Sequence, residues 1–124
     1  MVTPIGIDIV ETARVERLLR VYGDKFVARI LGSRERELLQ QRQDRAQFVA
    51  GRFACKEAVI KALGKYLTTR PAYNQIEIVG DDQSGPQADF GREILAGIGR
   101  TRTLVSISHE KTHAVAMAVI SEDV

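Results

Sequence analysis

Apolar residues along this chain keep a period of two, shift to the helical period of about 3.6, and return to two near the end. At the start, Ile5, Ile7 and Ile9 alternate with Gly6 and Asp8. This predicts a strand over about 4–10 with a carboxylate on the face opposite the isoleucines. Helical spacing follows. Val15, Leu18, Leu19 and Tyr22 gather on one side of a helix predicted over 12–22 with Thr12 as its cap, and a shorter helix is predicted over 24–31. Ser33-Arg34-Glu35-Arg36-Glu37 opens another helix, with Ser33 at the cap and Glu35 and Glu37 in the first turn. The longest helix is predicted over about 45–64, and Pro71 breaks the chain after it. Ile76 and Ile78 flank Glu77 in a strand over 75–79, Asp81-Asp82-Gln83-Ser84-Gly85-Pro86 is a turn, and 87–90 is a short partner strand. A helix over 91–99 and a hairpin over 104–120 complete the order. Ala114 to Ile120 are apolar on both faces, so that strand is expected to be covered on both sides, within the chain or by a neighbour. Strands that follow helices without regular alternation predict an α+β fold, an antiparallel sheet packed with a long central helix.

Composition narrows the class without identifying it. A chain of 124 residues is expected to form one domain over 1–124, large enough for a core and small enough to profit from an oligomer interface. With 44% apolar and 27% charged residues it reads as an ordinary globular protein. No stretch approaches the ~18 apolar residues of a membrane span and no basic-then-apolar leader precedes the first strand, so neither a span nor a secretion signal is expected. The lone cysteine, Cys55, has no internal disulfide partner and suits a reducing cytoplasm. Neighbouring Lys56 would lower a thiol pKa, but small apolar residues at helical spacing favour a packing role for Cys55. The net charge of +2 matters less than its distribution. Between Arg14 and Arg52 lie nine arginines and Lys25, whereas Glu77 to Glu93 holds five acids against Arg92 alone.

Candidate chemistry concentrates in the stretch from Arg52 to Leu63. Glu57 and Lys61 share one helix face a turn apart, while Phe48, Val59 and Leu63 gather on the far side and Gly51, Ala58 and Ala62 leave a strip almost without side chain. Such a helix buries most of its girth and still aims an acid and an amine at one point, as a metal-bridged phosphate site requires. A Glu–Lys pair at this spacing is also common on solvated helices. Asp8, set among apolar residues, needs a cation or several donors: a metal, an arginine, or the N-terminus of the helix that follows. Near the end, Ser106 and Ser108 share one face of a strand and Ser108-His109-Glu110 opens the hairpin turn. Adjacent strand residues point oppositely, so Ser108 and His109 are not a catalytic pair on sequence grounds.

Together, Gly6-Ile7-Asp8-Ile9-Val10-Glu11, Phe53-x-x-Lys56-Glu57-Ala58-x-x-Lys61-Ala62-Leu63 and Ser106-x-Ser108-His109-Glu110 resemble the holo-[acyl-carrier-protein] synthases, the short bacterial type of 4'-phosphopantetheinyl transferase. Order, spacing and length fit over the whole chain, with further matches at Arg14, Arg29-Ile30-Leu31 before Glu35, and Gly85-Pro86. Two positions depart from the family pattern. Lys65-Tyr66 follow Gly64 where a small residue and a second glycine are usual, and His113 stands where an aromatic is common. The first bears on the loop's phosphate contacts and the second on packing.

The resemblance implies the 4'-phosphopantetheinyl transferase fold and a Mg²⁺-dependent transfer of the phosphopantetheine arm of coenzyme A to a serine of apo acyl carrier protein. It implies release of 3',5'-ADP, a place in fatty acid biosynthesis, a cytoplasmic location and a homotrimer with active sites at its subunit interfaces. Asp8 and Glu57 are then the metal ligands, and Asp8, Glu57 and Lys61 the catalytic set. Arg52, Lys56, Lys61, Gly64, Pro86, Ser108 and His109 are expected to hold coenzyme A. The base that takes the serine proton is either Glu57 or a metal-bound water, and a carboxylate already on Mg²⁺ is a poor base. Carrier proteins of this kind are acidic, and Arg14, Arg17 and Arg20 form a stripe beside the apolar face of the first helix, a docking surface for such a partner. A basic nucleic-acid-binding domain is disfavoured, because four phenylalanines and three tyrosines are not interleaved with the cations and no reader motif is present. An inactive carrier-docking module is disfavoured because every position matching a metal role is intact.

Overall fold

The architecture is that of one long helix laid across a small antiparallel sheet. The computed structural model describes residues 3–80 and 83–122; Asp81 and Asp82 of the expected acidic turn lie outside the described residues. In chain order the elements are β1 (Ile5–Glu11), α1 (Thr12–Tyr22), α2 (Asp24–Ile30), α3 (Ser33–Gln40), α4 (Arg45–Ala62), a 3₁₀ turn (Tyr73–Gln75), β2 (Ile76–Val79), β3 (Gln87–Phe90), α5 (Arg92–Ile98), β4 (Thr101–His109) and β5 (His113–Glu122). The α+β expectation holds. The strands, however, divide between an antiparallel sheet of order β1-β5-β4 and a separate β2–β3 pair.

Register sorts the residues of the larger sheet by face. Directly opposed residues share a side, so Gly6-Ala118-Val105, Asp8-Ala116-Ile107 and Val10-Ala114-His109 form three rows on one face. Ile5-Val119-Leu104, Ile7-Met117-Ser106 and Ile9-Val115-Ser108 form the rows of the other. The first face is floored by glycine and alanine, and α4 packs on it with its own small residues, Gly51, Ala54, Ala58 and Ala62. The approach is close enough that a Cβ on Gly6 would lie 1.9 Å from the Ala58 carbonyl oxygen. That contact seats Asp8, two residues on, beside the α4 turn that carries Glu57 and Lys61. The opposite face is open in the single chain, with Ile5, Ile7 and Ile9 at 61%, 60% and 64% exposure. Of the two coverings expected for the strand ending at Ile120, α4 therefore supplies one.

Two expected caps give way to longer-range partners. Glu11, not Thr12, is the N-cap of α1 and supplies no side-chain bond, while the Thr12 amide donates to the Thr112 carbonyl across the sheet edge. At α3 the cap is Gly32, with Ser33 already helical. The Glu77 carboxylate reaches over from β2 to accept from the Arg34 amide at 2.9 Å, satisfying an exposed end of the helix. Gly32 makes room for it, because a Cβ there would meet the Glu77 side chain at 2.5 Å.

Candidate active site

The two lysines of α4 have different fates. Lys56 points into the protein, where its side chain is 0% exposed; it donates to Glu35 Oε1 at 2.5 Å and to the Ile30 carbonyl. Glu35 also accepts from the amides of Gly32 at 3.0 Å and Ile78 at 2.9 Å, so both its oxygens are bonded. Burial pulls the Lys56 ammonium below its ordinary pKa and Glu35 opposes that pull. The expectation that Lys56 contacts coenzyme A is thereby corrected: its amine is committed to tying α4 to α2, α3 and β2, with no exposed surface from which to meet a phosphate.

Lys61 emerges on the sheet side, 52% exposed, and donates to Asp8 Oδ1 and to the Ile7 carbonyl, each at 3.0 Å. One turn earlier, Glu57 Oε1 accepts from Arg70 Nη2 and from the Tyr73 hydroxyl, both at 2.5 Å. Burial and the bond to Glu57 push the Tyr73 phenol up. The bond to Tyr73 and the Glu57 charge hold the Arg70 guanidinium above its usual range. Phe53 braces Tyr73 from below in an edge-on contact, ring centroids 5.3 Å apart. Of the predicted set, Lys61 and Asp8 are paired directly, while Glu57 stands one turn earlier on α4 and is bonded instead to Arg70 and Tyr73; the two carboxylates are largely buried and the Lys61 amine is half exposed. Arg70 and Tyr73 were not anticipated; Arg70 lies within, and Tyr73 just after, a proline-broken loop whose path no periodicity reveals.

Other predicted residues spread around this cluster. His109 lies over Gly51, whose added Cβ would meet His109 Nε2 at 3.1 Å, so the turn of β4–β5 and the first half of α4 share a surface. Arg52, next along α4, has its guanidinium 4.2 Å from the Phe48 ring centroid; Arg42 approaches the same ring at 5.2 Å. Burial lowers the Arg52 pKa, and its Nε is a buried donor without a partner. Gly64 is exposed in the turn that ends α4. Lys65 and Tyr66 bend toward β5, with Tyr66 Oη 2.5 Å and Lys65 Nζ 3.4 Å from Glu122 Oε1. Pro86 lines a depression against Arg102, Thr103, Leu104 and Val105, and Ser108 sits on the open sheet face beside Val115. Neither joins Asp8, Glu57 and Lys61 within one chain.

Arg14, Arg17 and Arg20 are exposed on α1, without an ion pair among the described residues. Arg14 also edges a groove of about 470 Å³ between α1, α2 and α4, floored by Leu18, Phe26 and Phe53 and rimmed by Lys25, Arg29 and Tyr73. The groove ends at the residue whose hydroxyl touches Glu57.

The donor set fits a magnesium ion. Asp8 and Glu57 each bond the protein through one oxygen, and their Oδ2 and Oε2 have no protein partner among the described residues. No cluster of three or more carboxylates, histidines or cysteines forms among the described residues. Mg²⁺ commonly takes one or two carboxylates and completes its shell with substrate phosphates and water. No helix among the described residues is long and apolar enough to cross a membrane.

Comparison with known proteins bears on the chain as a whole. The chain is 38% identical over 124 residues to a holo-[acyl-carrier-protein] synthase of Alkalilimnicola ehrlichii, covering 97% of each chain. Its fold is similar to a holo-(acyl-carrier-protein) synthase of Bacillus anthracis solved in complex with CoA (3',5'-ADP), with TM-score 0.81, 35% identity, and coverage of 98% of this chain and 100% of that one. The enzyme of Neisseria meningitidis gives TM-score 0.86 at 31% identity over 96% of this chain and 98% of that one. The family model of the 4'-phosphopantetheinyl transferase superfamily matches residues 4–118, and the chain belongs to that superfamily.

Proposed function

We propose that this chain is a Mg²⁺-dependent holo-[acyl-carrier-protein] synthase that works as a cytoplasmic homotrimer in fatty acid biosynthesis. It moves the 4'-phosphopantetheine arm of coenzyme A to a serine of apo acyl carrier protein and releases 3',5'-ADP. The observation that carries this reading is the pairing of α4 with β1, where Asp8, bonded to the half-exposed Lys61 ammonium, and Glu57, one turn earlier on α4, keep one oxygen each uncommitted.

The serine Oγ attacks the phosphorus bearing the pantetheine arm; the bond from that phosphorus to the bridging oxygen breaks, and the electron pair leaves on 3',5'-ADP. Positioning and charge neutralisation dominate such a reaction. When bound, Mg²⁺ supplies Lewis-acid neutralisation of the diphosphate, and Asp8 with Glu57 hold it. Lys61 turns from Asp8 to a phosphate oxygen, a short swing for an exposed four-carbon stem. Either Glu57 or a water at its side takes the serine proton, and Glu57 would be the weaker base of the two with its charge shared by a cation it would hold. Around Gly51, Arg52 and His109 offer cationic and hydrogen-bonding contacts to the nucleotide's phosphates.

Two features support an oligomer. The open face carrying Ile5, Ile7, Ile9, Leu104 and Met117 is an apolar surface of a size that demands cover. Ser108 and Pro86 lie away from Asp8 and Glu57 in one chain, so contact from a neighbour is how they would reach the same coenzyme A. The acidic carrier docks on Arg14, Arg17 and Arg20, and the groove beside Arg14 leads its serine toward Glu57. The decisive experiment incubates the protein with coenzyme A, Mg²⁺ and apo acyl carrier protein. Mass spectrometry should find the carrier heavier by one phosphopantetheine and 3',5'-ADP released in equal amount. A carrier of unchanged mass beside a folded enzyme would overturn the proposal.

A further inference from the structure

Glu57 is already occupied by a cation of the protein's own. Arg70 Nη2 and the Tyr73 hydroxyl converge on Glu57 Oε1, and the Arg70 guanidinium lies over the Tyr73 ring, 5.6 Å from its centroid. Tyr73 is fixed from below by Phe53 and begins the 3₁₀ turn that leads into β2. Arg70 has no such support. It belongs to an irregular loop between α4 and that turn, its side chain is 56% exposed, and its Nε and Nη1 find no partner among the described residues. The contact therefore joins a helix-borne carboxylate and a braced tyrosine to an exposed arginine on an irregular stretch of chain.

We infer that Arg70 has two stations: it neutralises Glu57 in the free enzyme, and it moves to the substrate's diphosphate once a divalent cation takes Glu57. The inference rests on the metal site proposed above and extends it to a residue outside the family motifs. A guanidinium on one carboxylate oxygen and a divalent cation on the other repel across a few ångströms, so the two compete. Coenzyme A brings, beside the cation, a diphosphate whose oxygens match the unused part of the guanidinium fork. Tyr73 remains on Glu57 in both states and keeps the carboxylate aimed. Arg70 is a positioning residue in the first state and a substrate contact in the second.

Opposite signs on two ligands distinguish this role from a merely structural one. The native oligomer is titrated with Mn²⁺ alone, followed by electron paramagnetic resonance, and then with coenzyme A in saturating Mg²⁺, followed by calorimetry. Arg70→Gln should bind Mn²⁺ roughly two- to fivefold more tightly, as release from an exposed ion pair allows. It should bind coenzyme A about tenfold more weakly, as loss of a charge-assisted contact predicts. Arg70→Lys keeps the competing charge and should restore the wild-type Mn²⁺ affinity while recovering only part of the coenzyme A affinity. Unchanged or weaker Mn²⁺ binding in a folded Arg70→Gln protein would overturn the inference while leaving the metal site in place. Mn²⁺ binding by the wild type that Glu57→Gln does not diminish would remove the metal site itself, and the inference with it.

Discussion

Lys56 and Lys61 leave the same helix five positions apart, each beside a carboxylate from another element, and they do different things. The Lys56–Glu35 pair is closed: both side chains are fully buried and every charged oxygen of Glu35 meets a donor. The Lys61–Asp8 pair is open: water reaches the amine and one carboxylate oxygen is spare. Removing two charges from water costs several kcal/mol per ion, repaid only when geometry and extra hydrogen bonds are complete. A pair that meets that condition is locked into the fold. A pair that does not is cheap to separate, as the proposed exchange of internal partners for metal and phosphate would require. What separates them is not residue type but what surrounds each amine: α2, α3 and β2 close around Lys56, whereas the Lys61 amine bonds β1 alone among the described residues and is half in water.

The sharpest way to break this contrast is to truncate each lysine. Lys56→Ala should cost about 3–5 kcal/mol, because it leaves Glu35 charged and unpaired in the core. Lys61→Ala should cost under about 1 kcal/mol. Urea denaturation of both proteins checks the difference, and equal costs would refute it. Replacing both partners with apolar residues, Glu35→Leu with Lys56→Met, should recover much of the loss.

Next in size, Asp8→Asn and Glu57→Gln should each lower the transfer rate by ~10²–10³ with little effect on the urea midpoint. A chelator should reproduce both losses in the unmodified enzyme. Full activity in EDTA would mean that the open side does not work through a metal.

Much of the open side was legible in the sequence because its parts lie on regular elements. Alternation put Asp8 opposite the isoleucines, helical spacing put Glu57 with Lys61, and the glycine and alanine strip marked a helix that buries most of its girth. The closed side was not legible. Glu35 reads as a first-turn acid and Lys56 as a motif lysine for coenzyme A, and nothing local says that Ile78 will offer its amide to one or Ile30 its carbonyl to the other. The same limit hid the Glu77 cap of α3 and the convergence of Arg70 and Tyr73 on Glu57. Each depends on where a loop returns, and periodicity carries no information about that.

A smaller effect sharpens the contrast at the mouth of the open side. Arg14→Glu with Arg17→Glu should raise the KM for acyl carrier protein by an order of magnitude or more at low salt, through loss of association rate. The difference from wild type should shrink as salt rises, since exposed charges beyond roughly 10 Å are screened at 0.1 M ionic strength. The KM for coenzyme A should stay the same. Steady-state kinetics at two salt concentrations tests all three statements, and equal damage to both substrates would make the arginine stripe ordinary surface.

Cys55 measures how tightly the other side is shut. Its thiol neighbours two cations, Arg52 and Lys56, which would favour a reactive thiolate, yet burial wins and pushes the thiol up from 9.0 to about 12. An Ellman titration at pH 8 should therefore find no thiol in the native protein and one per chain after unfolding. The same shift has a signed consequence for stability. Above pH 9 the unfolded chain releases the Cys55 proton while the native chain keeps it until about pH 12. The native state then binds more protons, so stability falls as pH rises through that window, by at most about 1.4 kcal/mol per pH unit. Cys55→Ala removes this contribution and leaves every other titrating group in place. The stability difference between wild type and Cys55→Ala should be constant from pH 7 to 8.5 and then move against the wild type as pH climbs toward 10.5. A difference that stays flat across that range, or a thiol that reacts in the native state, would show that water reaches this side of α4 as it reaches Lys61.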